Sequence, residues 1–180
     1  MNETPTAPNT AVVVVDLQKD NVGRYCRHIL PNVKLLLDEA RAKGIPIIFA
    51  CDSRYTDDFI FKSGHPVSNI RGTEGARVID ELEPGPGEMM VEKRMLSAFF
   101  GTDLDFTLRQ KEIKTLIVVG VATWACVLKT VFDAAELGYR VMVPADCCAS
   151  PAPEAHDAAL KVLGQLGVVR PSVNDVLQTI

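Results

Sequence analysis

The chain has 180 residues, 47% of them hydrophobic and 23% charged, and a formal net charge of -4. That balance suits one soluble domain spanning 1–180 with an ample core. Mild acidity without a basic stripe argues against nucleic acid as a partner, and no apolar run approaches the ~20 residues of a membrane span. The first ten residues, "MNETPTAPNT", are polar and carry prolines, with neither the basic nor the apolar part of a signal peptide, so a loose tail is expected at 1–10. "AVVVVD" (11–16) is a continuous apolar run, the pattern of a strand buried on both faces of a parallel sheet. "LPNVKLLLDEARAKG" follows as a helix, with Pro31 near its start and Gly44 as its C-cap.

"IPIIFACD" (45–52) reads as the second strand. Residues 53–74 lack clear periodicity, and so long an irregular connection is usually functional. "EMMVEK" (88–93) is the third strand, and a helix follows with Thr102 as its N-cap. The fourth strand covers 114–120, and the apolar spacing of "VLKTVFDAAELG" predicts a helix behind it. "YRVMVPAD" (139–146) is read as a fifth strand, 153–167 as a helix, "GVV" as a short strand and 172–179 as a final helix. Alternating strands and helices imply a three-layer α/β domain, with a mostly parallel sheet and right-handed crossovers.

In that architecture ligands bind beyond the carboxyl ends of the strands. Asp16, Lys93 and Cys126 all stand at such ends. Each has an ordinary alternative: a turn cap, a solvated charge, a buried filler. Together they form a constellation suited to covalent acyl transfer. A thiol with a pKa near ~8.5 needs a base or a cationic neighbour. A helix N-terminus and Lys93 are expected to favour thiolate at Cys126. Asp16 could take the thiol proton and return it to a leaving amine. None of His28, His65 and His156 falls at a strand end, which argues against a Cys-His scheme, and His156 reads as a helix-surface residue.

The ordered series "VVVVDLQKD", "RGTEGARVIDEL", "VEKRMLSAFFGTDLDFTLR" and "VVGVATWACVLKTVFDAAELGYRVMVPADCCAS" resembles the isochorismatase-like cysteine hydrolases over nearly the whole chain. That family includes nicotinamidases, N-carbamoylsarcosine amidase and ureidoacrylate amidohydrolases. The resemblance implies a six-stranded parallel sheet of order 3-2-1-4-5-6 and a triad of Asp16, Lys93 and Cys126. It also implies a cis peptide at Val121–Ala122, with the amides of Ala122 and Cys126 as oxyanion hole. In that order the third strand lies two places from the first, ~10 Å away, so the lysine stem must close the gap.

Departures from the family pattern narrow the expectation. Members acting on isochorismate carry Asp at the place of Cys126, so Cys126 favours amide or carbamoyl hydrolysis. Metal-dependent nicotinamidases carry Asp-x-His after the second strand; here Asp52 is followed by Ser53 and Arg54, and an arginine is no ligand at neutral pH. Asp52 with the distant His65 makes a poor metal site, and no metal or other cofactor is expected. Asn21 replaces an aromatic found in nicotinamidase-like chains. Gln18, Arg54, Arg71 and Trp124 are candidate substrate contacts, with solvated, salt-bridged or packing roles as the alternatives. Cys147 and Cys148 are adjacent and bridge poorly. The expectation is a cytoplasmic cysteine amidohydrolase, a homo-oligomer (dimer or tetramer) acting on a small amide, carbamoyl or ureido compound. The alternatives are a metal-dependent nicotinamidase and a non-catalytic binding or assembly protein.

Overall fold

The computed structural model describes residues 9–23 and 25–180. Most of the tail expected at 1–10 lies outside the described residues, and Thr10 already opens the first strand. In chain order the main elements are β1 (Thr10–Val15), α1 (Lys19–Val22), α2 (Leu30–Ala42), β2 (Ile47–Asp52), α3 (Phe59–Lys62), β3 (Met89–Lys93) and α4 (Leu104–Gln110). They continue as β4 (Thr115–Val121), α5 (Leu128–Glu136), β5 (Arg140–Met142), β6 (Cys148–Ala149), α6 (Pro153–Gln165) and α7 (Val173–Leu177). The strands form one parallel sheet with the order β3-β2-β1-β4-β5 and β6 paired to β4.

The unbroken apolar runs of β1, β2 and β4 follow from burial on both faces: every residue of the three is buried. Successive side chains point to opposite faces of a sheet, and the core divides accordingly. Val12, Val14, Ile47 and Phe49 meet α2 and α7 on one face. Ala11, Val13, Val15 and Ile48 meet α4, α5 and α6 on the other. The helix boundaries also have local causes. Pro31 lies in the first turn of α2, and Gly44 follows the helix with φ +67°. Thr102 Oγ1 accepts from the Leu104 amide at 3.3 Å, at the start of α4. Ser172 and Asp175 form a reciprocal capping box on α7.

The far edge departs in detail from a simple sixth strand. The run 139–146 does not continue as one strand, because Pro144 offers no N–H to the ladder. After β5 the chain turns through 145–147 and returns as β6, where Cys148 and Ala149 pair with Gly120 and Val121. The short segment expected near 167–169 contributes a single bridge, Val169 to Met142. The long 53–74 connection starts and ends at one place, since Arg54 pairs with Ile70 through two backbone bonds of 3.0 and 2.9 Å.

Close approach of β1 and β4 sets a strict demand at Gly120. Its φ is +122°, and a Cβ there would stand 2.0 Å from the Val15 carbonyl oxygen. Gly120→Ala must both strain the backbone and push the two central strands apart. The expected loss is about 2–4 kcal/mol in urea denaturation. An unchanged midpoint would contradict this contact.

Candidate active site

Three strand ends converge above the sheet. Asp16 follows β1, Asp52 ends β2 and Lys93 ends β3, with Asp52 and Lys93 directly opposite in register. Asp16 takes a left-handed φ of +52°, while its amide still donates to the Ala50 carbonyl at 3.0 Å. Its Oδ1 accepts from the Asp52 amide at 3.0 Å and its Oδ2 from Lys93 Nζ at 2.8 Å. Lys93 Nζ also donates to Asp52 Oδ1 at 2.7 Å and to the Met95 carbonyl at 3.2 Å, so its three hydrogens each have an acceptor. The second oxygen of Asp52 accepts from Arg54 Nε and Nη2 at 3.0 and 2.8 Å. All four side chains are buried. Two carboxylates and two cations thus balance in a closed network, and Asp52 bridges the gap that separates the ends of β1 and β3.

Cys126 arrives from the other side of β1. Behind β4 the Val121–Ala122 peptide is cis, and Thr123–Val127 forms a wide turn before α5 begins. The Ala122 carbonyl accepts from the amides of Ala125 and Val127 at 3.0 and 3.3 Å. This turn brings the Cys126 sulfur and the carboxylates of Asp16 and Asp52 within 4.8 Å of one another.

Burial raises the Asp16 carboxyl to about 6 against the pull of Lys93, and Asp52 adds to the rise. Burial also works against charge on Lys93, but Asp16, Cys126 and Asp52 outweigh it and keep the ammonium protonated. At Cys126, burial and the Asp16 carboxylate push the thiol well above its usual range, Lys93 opposes them, and Asp52 adds to the rise. Burial and Asp16 thus work against the thiolate that the helix end and Lys93 were expected to favour, and the sulfur lies beside a carboxylate. The other four cysteines are also raised, by burial first in each case.

The remaining candidates divide. Gln18 is fully buried, and its carboxamide is taken up by backbone. Nε2 donates to the Asp52 and Ala76 carbonyls at 2.8 and 2.6 Å, and Oε1 accepts from the Asp52 amide at 2.9 Å. Arg54 belongs to the cluster, but it faces Asp52, and its Nη1 donates to the Arg94 carbonyl at 2.6 Å. Gln18 is turned onto neighbouring backbone, and Arg54 onto the Asp52 carboxylate and the Arg94 carbonyl. Arg71 lies outside the cluster, half-exposed, paired with Glu92 at 2.6 Å and stacked over Tyr55. Trp124 stands on the wide turn, 49% exposed. Asn21 donates to the Asp16 carbonyl at 3.1 Å and accepts from Asn69 at 2.8 Å. Cys147 and Cys148 are unpaired thiols in opposite cores.

Two features escaped the sequence reading. Asp52, expected only as a poor metal ligand, ends a strand level with Lys93, as Asp16 follows one. His156 is half-buried, with Nδ1 2.8 Å from Thr123 Oγ1, and is not a free surface residue.

The residues present do not fit a divalent metal. Asp16, Asp52 and Cys126 are close enough to share an ion, but both Asp52 oxygens already hold cationic donors, and a dication would face Lys93 and Arg54. His65 is exposed on the loop after α3, with Ser63 Oγ 3.4 Å from its Nδ1. A groove of about 620 Å³ opens beside the cluster, between β3 and the segment 72–84; it touches Cys51 and Asp52 but not Asp16, Lys93 or Cys126. The convergence of the strand ends, and not this groove, marks the site.

Removing one member of the network leaves a buried charge uncompensated. Arg54→Ala is expected to cost about 3–5 kcal/mol. Arg71→Ala, at an exposed pair, is expected to stay within about 0.5 kcal/mol of the parent. Equal denaturation midpoints for the two variants would show that Arg54 is not part of a closed network.

The isochorismatase domain model matches residues 10–174. A probable inactive nicotinamidase of Arabidopsis thaliana is 32% identical, over 93% of this chain and 94% of its own. The ureidoacrylate amidohydrolase RutB of Agrobacterium fabrum is 31% identical, over 72% of this chain and 71% of its own. The solved structure of N-carbamoylsarcosine amidase from Thermoplasma acidophilum superposes with a TM-score of 0.80 at 29% identity, covering 92% of this chain and 96% of that one. The convergence of strand ends described above is thus built on a known scaffold: the chain belongs to the isochorismatase family.

Proposed function

We propose that the protein is an amidohydrolase acting on a small amide, carbamoyl or ureido compound through a covalent acyl-enzyme on Cys126. The observation that carries this reading is the Cys126 thiol held within 4.8 Å of the Asp16 carboxylate, which is itself fixed by Lys93 at 2.8 Å. Relatives that act on ureidoacrylate and N-carbamoylsarcosine support the substrate class. In the first half-reaction the sulfur attacks the carbonyl carbon as its proton passes to Asp16, avoiding a free thiolate in a site that disfavours one. The amides of Ala122 and Cys126 face the growing oxyanion. Asp16 then returns the proton to the leaving nitrogen, the C–N bond breaks, and ammonia or an amine departs from a thioester. Asp16 next takes a proton from water as the water attacks the thioester. The C–S bond then breaks, Asp16 returns that proton to the departing sulfur, and the acid leaves the restored thiol. Lys93 keeps Asp16 oriented and balances its charge in both halves.

A non-catalytic binding role is the second reading, favoured by the relative named as a probable inactive nicotinamidase. The intact Asp16–Lys93–Cys126 arrangement weighs against it. The proposal also includes self-association. Met95, Leu96, Phe100 and Trp124 are exposed on the segments that follow Lys93 and precede Cys126, and burial between copies would enclose the site. Five unpaired cysteines suit a reducing cytoplasm, and no helix among the described residues is long and apolar enough to cross a membrane.

A panel of small amides, carbamoyl and ureido acids, with nicotinamide included, should identify substrates by ammonia release that survives a chelator. Cys126→Ala should abolish turnover, and Asp16→Asn should lower kcat by about 10²–10⁴-fold. Because the base must be ionised, kcat/KM should be full well above pH 6, about half at pH 6 and lost as pH falls further, as Asp16 takes up a proton. Turnover undiminished in Cys126→Ala would refute the covalent step. Activity lost to chelation and restored by zinc would favour a metal-dependent nicotinamidase instead.

A further inference from the structure

The turn that carries Cys126 is held from outside the ionic network. Thr123 lies between Ala122 and Cys126, the two residues assigned to the oxyanion, and its side chain is fully buried. Its hydroxyl oxygen is 2.8 Å from His156 Nδ1. His156 stands in the first turn of α6, its amide donating to the Ala152 carbonyl at 3.2 Å. α6 in turn follows β6, whose Ala149 pairs with Val121 at the end of β4. The two arms of the contact therefore start from neighbouring strand positions, Val121 and Ala149, and meet again at Thr123 and His156. This closed frame surrounds the segment that must present a sulfur and two amides in one fixed geometry.

We infer that His156 is a positioning residue for the hydrolytic reaction, setting through Thr123 the turn that presents Cys126 and the oxyanion amides. The inference rests on the reading of Cys126 as nucleophile. A neutral imidazole with its hydrogen on Nε2 accepts the Thr123 hydroxyl at Nδ1. Burial holds the His156 pKa below its ordinary value; Asp157 opposes that shift and His28 adds to it, so the ring is neutral at neutral pH. His156 does not serve as the base for Cys126: its ring nitrogen meets Thr123, and the carboxylate of Asp16 stands beside the sulfur. Misplacement of reacting groups by an ångström costs about 10²-fold in rate, so loss of this contact should appear in kcat and not in binding.

The test compares His156→Ala, His156→Asn, Thr123→Val and the double variant His156→Ala/Thr123→Val, each first checked for a cooperative melt. With an amide found in the panel, His156→Ala should lower kcat by about 10- to 100-fold with KM within about twofold. Thr123→Val should match it, and the double variant should be no worse than either single one. His156→Asn, whose carboxamide oxygen can replace Nδ1 as acceptor, should recover most of the loss. The acid limb near pH 6 should stay in place in every variant. A kcat for folded His156→Ala within twofold of the parent, no recovery in His156→Asn, or an acid limb that moves with His156 would overturn the inference. A second readout stands apart from substrate choice: the rate of Cys126 alkylation, followed by peptide mass spectrometry, should fall in His156→Ala and Thr123→Val and recover in His156→Asn. If the parent hydrolyses no amide, the proposed function fails by itself. The alkylation rates then still decide whether His156 positions Cys126, and unchanged rates would overturn that too.

Discussion

The Lys93 ammonium holds the site together. Buried among Asp16, Asp52 and the Met95 carbonyl, it would be prohibitively unstable alone, and each carboxylate would be as unstable without it. The arrangement survives because Arg54 supplies the second positive charge, so that two anions and two cations cancel among buried side chains. Networks of this kind contribute modestly to net stability but respond sharply to the loss of one member. That asymmetry explains why Gln18 and Arg54, which touch no reacting atom in this reading, are fixed so completely. Gln18 pins the backbone of Asp52, and Arg54 pins its carboxylate.

A neutral thiol follows from the same constraint. The two cations are already matched by two carboxylates, so a thiolate at Cys126 would add an unbalanced negative charge beside Asp16. The sulfur therefore stays protonated, and burial lifts Asp16 to about 6, a value at which it is ionised near neutral pH yet still able to hold a proton during turnover. The sheet supplies the geometry: parallel strands place all their carboxyl ends on one side, and the tight contact of Gly120 with Val15 brings the Cys126 turn close to Asp16.

Much of this was legible in the sequence. Unbroken runs such as "AVVVVD" and "TLIVVG" signal strands buried on both faces, and the chemically able residue at the end of each run marks the site edge. Other parts were hidden for physical reasons. Gln18 and Arg54 carry groups able to bind a substrate, and spacing alone cannot tell whether a donor turns toward the cavity or toward a neighbouring backbone. Asp52 was visible at a strand end, but its role depends on the register that sets it opposite Lys93. The contact of His156 with Thr123 joins residues 33 positions apart on separate elements, which no local period reveals. The break between β5 and β6 had a local signal in Pro144, overridden by the apolar residues before it.

The protonation state of Cys126 tests the account most directly. Alkylation of each cysteine can be followed by peptide mass spectrometry from pH 4 to pH 9 in the full chain, with Asp16→Asn as the control. The account predicts that Cys126 labels faster than the other four, with an inflection near pH 6 that disappears in the control. A Cys126 rate that rises only where ordinary thiols ionise, near ~8.5, or labelling spread evenly over all five cysteines, would contradict it.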